Sequence, residues 1–244
     1  MKRLHIIYMI GILLLCFTSC SNEEMAPAKK TGTLELTVSR YPLPSASTRA
    51  VDDDLNVDII DPSGVESTRH YDAGDVPSKI NLTADKEYKI VAYTSNQNTW
   101  QTANNGFGEP CFRGETTAIV EEDATVYVDY QVPMSNYAVT ITLPERFSDY
   151  FKSYTFTVND GLDGSRSLQI KEGQKGYFSA ISGFKYELWA TNTDERTSHH
   201  NPIEVEVVEG GKCYNIHYLY GTDINTGGID IVITDDIDQE DHNF

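Results

Sequence analysis

Ser95 to Phe107 is the stretch best equipped to contact a ligand: it carries Asn98, Trp100, Gln101, Asn104 and Phe107, with Asn96, Gln97 and Asn105 between them. Amides exchange hydrogen bonds with hydroxyls, and aromatic rings stack on the CH face of a sugar, so this composition suits a host or dietary glycan. A hairpin loop whose Trp100 packs down on its own sheet accounts for the same residues without a ligand. Cys111 and Cys213 could form a disulfide if their Cα atoms came within about 7 Å, or remain two partly buried thiols. His199-His200 with Glu204 lacks the paired spacing of a zinc site, and the acidic run from Asp235 to Asp241 lacks the turn glycine of a calcium loop. No metal and no cofactor is expected. No G-x-S-x-G, H-E-x-x-H or glycine-rich phosphate loop occurs, so the expectation is a protein that is not an enzyme.

The N-terminus carries chemistry of another kind. Lys2 and Arg3 precede an apolar run from Ile6 to Phe17, shorter than the roughly 20 residues that cross a hydrocarbon core. This fits a cleavable signal peptide, residues 1–19. The run ends in Phe17-Thr18-Ser19-Cys20, which resembles the lipobox of bacterial lipoproteins, with Phe17 where Leu is usual. The resemblance implies that Cys20 is acylated and anchors the mature chain in the outer membrane. Ser21-Asn22-Glu23-Glu24 then resembles the acidic surface-export signal of Bacteroidetes lipoproteins, or is a solvated linker. Acyl chains supply the anchorage, each buried CH₂ adding about 0.8 kcal/mol.

Charge narrows the partners. The 244 residues hold 19 basic against 37 acidic side chains, a net charge of −18, and the leader removes only basic ones. A nucleic-acid partner is excluded, because binding phosphate needs a basic footprint.

The elements that must position these residues are strands. Apolar residues recur at period two: Leu34-Leu36-Val38, Leu55-Val57-Ile59, Tyr88-Ile90-Ala92, Val126-Val128-Tyr130 and Val139-Ile141-Leu143. Tyr154-Phe156-Val158, Tyr186-Leu188-Ala190, Ile203-Val205-Val207, Tyr214-Ile216-Tyr218 and Ile229-Ile231-Ile233 continue the pattern. Pro144 to Lys152 alone reads as a helical turn. Trp189 falls on the face opposite Tyr186, Leu188 and Ala190, over a junction or on a surface patch. The runs also repeat. Leu55–Asp61 matches Tyr154–Asp160, Tyr88–Ala92 matches Tyr186–Ala190, and Val126–Tyr130 matches Tyr214–Tyr218. The last interval is shorter in the second copy, so the first carries an insertion of about ten residues. The reading is all-β: two tandem antiparallel β-sandwiches, 33–133 and 134–235, after a lipidated acidic tether, 20–32, and before an acidic tail, 236–244.

This layout resembles the fimbrillin-like surface lipoproteins of Bacteroidetes, and more closely an uncharacterised two-sandwich domain family of that phylum. The segments that carry the resemblance are Gly32–Leu36, Thr48-Arg49-Ala50, Leu55–Gly64, Pro110–Gly114 and Phe151–Val158. In fimbrillins a trypsin-like protease cuts after an arginine behind the first strand, and a neighbouring subunit fills the vacated groove. The resemblance implies proteolytic processing between Arg49 and Ala50, with Leu34, Leu36 and Val38 on the removed strand. Arg49 also reads as an ordinary loop arginine, and the strand from Gly228 to Thr234 is either a donor or the closing strand of the second sandwich. Function then reads as cell adhesion by a surface lipoprotein, or a fimbrillin-like, pilus-type subunit meeting other subunits by strand addition. The alternative is a carbohydrate-capture lipoprotein of a nutrient-uptake system, with the Trp100 loop as its site.

Overall fold

A computed structural model describes residues 29–41, 54–161, 164 and 166–220, and 229–234, with backbone only for 219, 220 and 229–234. The leader with Cys20, the tether up to residue 28, Arg49 and Ala50, and the tail at 236–244 lie outside the described residues. The chain divides into two compact units, Met1–Lys30 and Thr31–Phe244. Both sandwiches lie in the second unit.

Alternation becomes pleat. In β1 (Thr31–Tyr41) the apolar members Leu34, Leu36 and Val38 are buried and the residues between them are half-covered. β1 pairs antiparallel with β4 (Lys79–Thr83) and parallel with β7 (Thr125–Pro133). Facing this sheet is a second, ordered β3 (Arg69–Tyr71), β2 (Leu55–Ile60), β5 (Lys86–Thr94), β6 (Arg113–Val120). Leu34, Leu36, Val57, Ile59, Tyr88, Ile90 and Val132 fill the space between the two.

The second sandwich repeats that plan. Its first sheet runs β11 (Gly176–Ser179), β8 (Asn136–Thr142), β14 (Cys213–Tyr220), β15 (Ile229–Thr234), with β8 and β14 again parallel. The other sheet runs β10 (Arg166–Ile170), β9 (Phe151–Asp160), β12 (Phe184–Asn192), β13 (Thr197–Val205). Its core is more aromatic. Tyr137 stacks on Phe178 with ring centroids 5.7 Å apart and meets Tyr214 edge-on at 5.5 Å. Burial pushes the Tyr137 and Tyr218 phenols well up and Tyr186 up to about 12. β15 has no counterpart beside β7 among the described residues, and it pairs with β14 as the closing strand of its own sandwich.

Two local expectations are corrected. The helical turn is only α1 (Phe147–Tyr150), because Phe151 and Lys152 already belong to β9. Phe147 and Phe151 still stack, at 4.6 Å. Val207 lies beyond the end of β13 and is exposed, where period two had put it inside.

Candidate functional site

The extra residues of the first copy are the loop from Ser95 to Phe112. It joins β5 to β6, a connection that the second sandwich makes with 193–196 alone. Much of the loop's amide chemistry turns inward. Asn96 Nδ2 donates to Glu109 Oε1 (2.8 Å) and to the Pro110 carbonyl (3.0 Å); Gln97 Nε2 donates to the Phe112 carbonyl (2.8 Å). Asn104 Nδ2 donates to the Gly108 carbonyl at 2.9 Å, which rounds off the tip. Asn98 and Gln101 are exposed.

Trp100 is only 8% exposed, so its faces are not open for a sugar to stack on. With Cys111 it packs onto Ala138 and Tyr177 of the second sandwich, and Cys213 and Met134 border the cluster. Tyr177, Ala138 and Cys213 form one row across β11, β8 and β14. That row lies on the side opposite the core residues Tyr137 and Val139, and small Ala138 makes room for the indole. The loop approaches closely at Gly108, whose φ is +87° and where a Cβ would stand 3.1 Å from Tyr177 Cβ. Phe107 is half-buried against the second core, and its carbonyl accepts from Tyr177 N at 2.8 Å.

Arg166 closes this contact from the other side. Its Nη2 donates to the carbonyls of Gln101 (3.1 Å) and Gly106, and its Nη1 donates to the Tyr177 carbonyl. The guanidinium lies over Trp100 (5.8 Å) and Phe178 (5.2 Å). Burial lowers its pKa, opposed by the charge of Asp160, and an arginine so placed stays cationic. Asn136, almost fully buried, ties the base of the loop to β8. Its Oδ1 accepts from Cys111 N (3.0 Å) and its Nδ2 donates to the Glu109 carbonyl (2.9 Å). Composition pointed to neither Arg166 nor Asn136. The signal that could have found them is the insertion in one copy only, which needed a surface to lie on.

The remaining residues separate. No bond joins Cys111 to Cys213, although both belong to the junction cluster. His199 and His200 face opposite sides: His199 bonds Glu187, and His200 lies edge-on to buried Tyr218. Among the described residues no group of three His, Cys, Asp or Glu could hold a metal ion, and no helix is long and apolar enough to cross a membrane.

One ionic cluster stands apart, at the corner after β2. Asp61 Oδ2 accepts from Lys86 Nζ at 2.6 Å and Asp61 Oδ1 from Ser63 N at 2.9 Å. The lysine's hydrogen bond, foremost, holds the carboxyl well below the usual range. It pins a turn and has no ligand geometry.

Residues 30–244 match the model of DUF4493, a domain of unknown function. No curated relative matches the sequence. Among solved structures, a proposed cell adhesion protein from Bacteroides eggerthii DSM 20697 is similar at 10% identity and TM-score 0.49, over 84% of this chain and 95% of that one. One from Bacteroides uniformis ATCC 8492 is similar at 13% identity and TM-score 0.48, over 86% and 99%. A fimbrial assembly protein from Parabacteroides distasonis ATCC 8503 is similar at 11% identity and TM-score 0.41, over 83% and 99%.

Proposed function

We propose that this chain, which belongs to the DUF4493 family, is a non-enzymatic surface lipoprotein of the outer membrane, delivered through Cys20 and serving adhesion as a fimbrillin-like subunit or accessory. The observation that carries the reading is the place of β1. It is the middle strand of its sheet, and Leu34, Leu36 and Val38 are each 1% exposed or less. A cut after Arg49, between β1 and β2, would free it. Its departure would bare one edge each of β4 and β7 and open an apolar slot along the core. A strand from a neighbouring subunit would fill that slot with main-chain hydrogen bonds and alternate side chains. The same cut would detach the lipid, so subunit contacts would then hold the protein at the surface. The test is the N-terminus and size of protein recovered from cells. A chain starting at Ala50 within a heat-stable ladder is expected, and Arg49→Ala should abolish the ladder. Assembled protein that retains residues 20–49 would sink the strand-exchange reading.

The second reading, capture of carbohydrate for a nutrient-uptake system, is favoured by a different observation. An exposed tryptophan, Trp189, stands on the outer face of the second sandwich.

A further inference from the structure

Trp189 on β12 is 42% exposed, yet it is held in place. Its ring stacks on His199, its partner in register on β13, with centroids 3.6 Å apart and planes 12° from parallel. Glu187, two residues earlier on the same face, bonds both rings through one oxygen. Trp189 Nε1 donates to Glu187 Oε2 at 3.3 Å, and His199 Nε2 lies 2.9 Å from that same atom. An exposed indole on a flexible rotamer would lose entropy on binding, and this one is already ordered.

The surroundings are polar and short. Thr155 of β9 is opposite Trp189, Thr157 is opposite Glu187, and Gln169 of β10 is opposite Thr157. The face therefore offers one aromatic plane beside a carboxylate, hydroxyls and an amide. Lys185, the cation on the same face of β12, is 2.6 Å from Glu204. With a net charge of −18 over the whole chain, this arrangement disfavours acidic ligands.

We propose that Trp189, His199 and Glu187 form a binding platform for a neutral glycan. The CH face of a pyranose ring stacks on the indole, a sugar hydroxyl donates to the second oxygen of Glu187, and Thr155, Thr157 and Gln169 meet the flanking hydroxyls. This rests on the carbohydrate reading above, and it moves the contact from the buried Trp100 to the opposite sheet of the second sandwich. His199 acts as a positioning residue, since it fixes the indole from the side.

The test uses the full chain on an array of neutral glucans, mannans, galactans and xylans beside sialylated and sulfated glycans. Wild type is compared with Trp189→Ala, Glu187→Gln and Asn98→Ala, the last at an exposed amide of the Trp100 loop, each checked for unchanged circular dichroism. Binding to a neutral glycan, weakened about tenfold or more by Trp189→Ala and less by Glu187→Gln, is the expected result. Neutral-glycan binding that survives Trp189→Ala but is lost in Asn98→Ala would overturn the platform while leaving the carbohydrate reading intact. Binding confined to acidic glycans would overturn the proposed chemistry. No binding by wild type would overturn platform and carbohydrate reading together. A Trp189→Ala variant that loses self-association alone would assign the face to a protein contact instead.

Discussion

Substituting Trp100 by alanine removes a buried side chain whose backbone belongs to one sandwich and whose packing partners Ala138 and Tyr177 belong to the other. Buried Trp→Ala changes cost about 3–5 kcal/mol, transfer and cavity together. Because those contacts cross between the two cores, most of that loss falls on their coupling and little on either core. It corresponds to a roughly 150- to 5,000-fold rise in molecules with one sandwich open and the other closed. Native-state hydrogen exchange in low urea reads this directly. In wild type the slowest amides of both sandwiches should share one opening free energy; in Trp100→Ala they should separate. Val139→Ala is the control, since Val139 belongs to the second core and not to the junction. It should lower both sandwiches together as long as they stay coupled. A Trp100→Ala protein within about 1 kcal/mol of wild type, or one that lowers both sandwiches in step as the control does, would refute the reasoning.

Three further outcomes are expected. Arg166→Met keeps the aliphatic stem but removes the donors to Gln101, Gly106 and Tyr177, which should cost about 1.5–3 kcal/mol in urea unfolding. Combined with Trp100→Ala the losses should be non-additive, because the guanidinium lies over that indole; strictly additive losses would contradict the contact. Cys111, buried in the junction, should react with a thiol reagent only as fast as the junction opens, so Trp100→Ala should speed its labelling; equal rates by mass spectrometry would argue against. Asp61 has a folded pKa below its unfolded value, so the stability it adds is present above about pH 4 and lost as pH falls toward the folded value. Asp61→Asn should therefore flatten the acid side of the stability profile, and an unchanged slope below about pH 4 would contradict the assignment.

How legible a strand was depended on what covers it. β1, β5 and β12 each have one face in a core and one toward water or a neighbour's side chains, and their alternation announces them. β6 is not legible in the sequence because Arg113 to Thr117 is polar on both faces, and only Ala118 and Val120 are buried. β11 is hidden for the opposite reason. Gly176, Tyr177 and Phe178 are all buried, Phe178 by the core and Tyr177 by the Trp100 loop, so no alternation survives. The loop itself is visible as an insertion, and its composition leaves open whether Trp100 packs down or faces a ligand; burial decides for packing.

Pleat period, turn residues and the internal repeat are local properties of the backbone, so the sequence by itself determined an all-β chain built as two like sandwiches. Where an apolar ring goes is not local. For Trp100 and Trp189 alike, the sequence leaves open whether the ring is buried or on the surface. One is buried because the second sandwich presents Ala138 and Tyr177 at the place where the longer loop lands. The other stays 42% exposed on the outer face, where its neighbour across the sheet is His199 of the edge strand β13, a single ring stacked beside it. Only the tertiary structure decides that difference, since the free energy of burying an indole depends on a surface supplied from elsewhere in the chain.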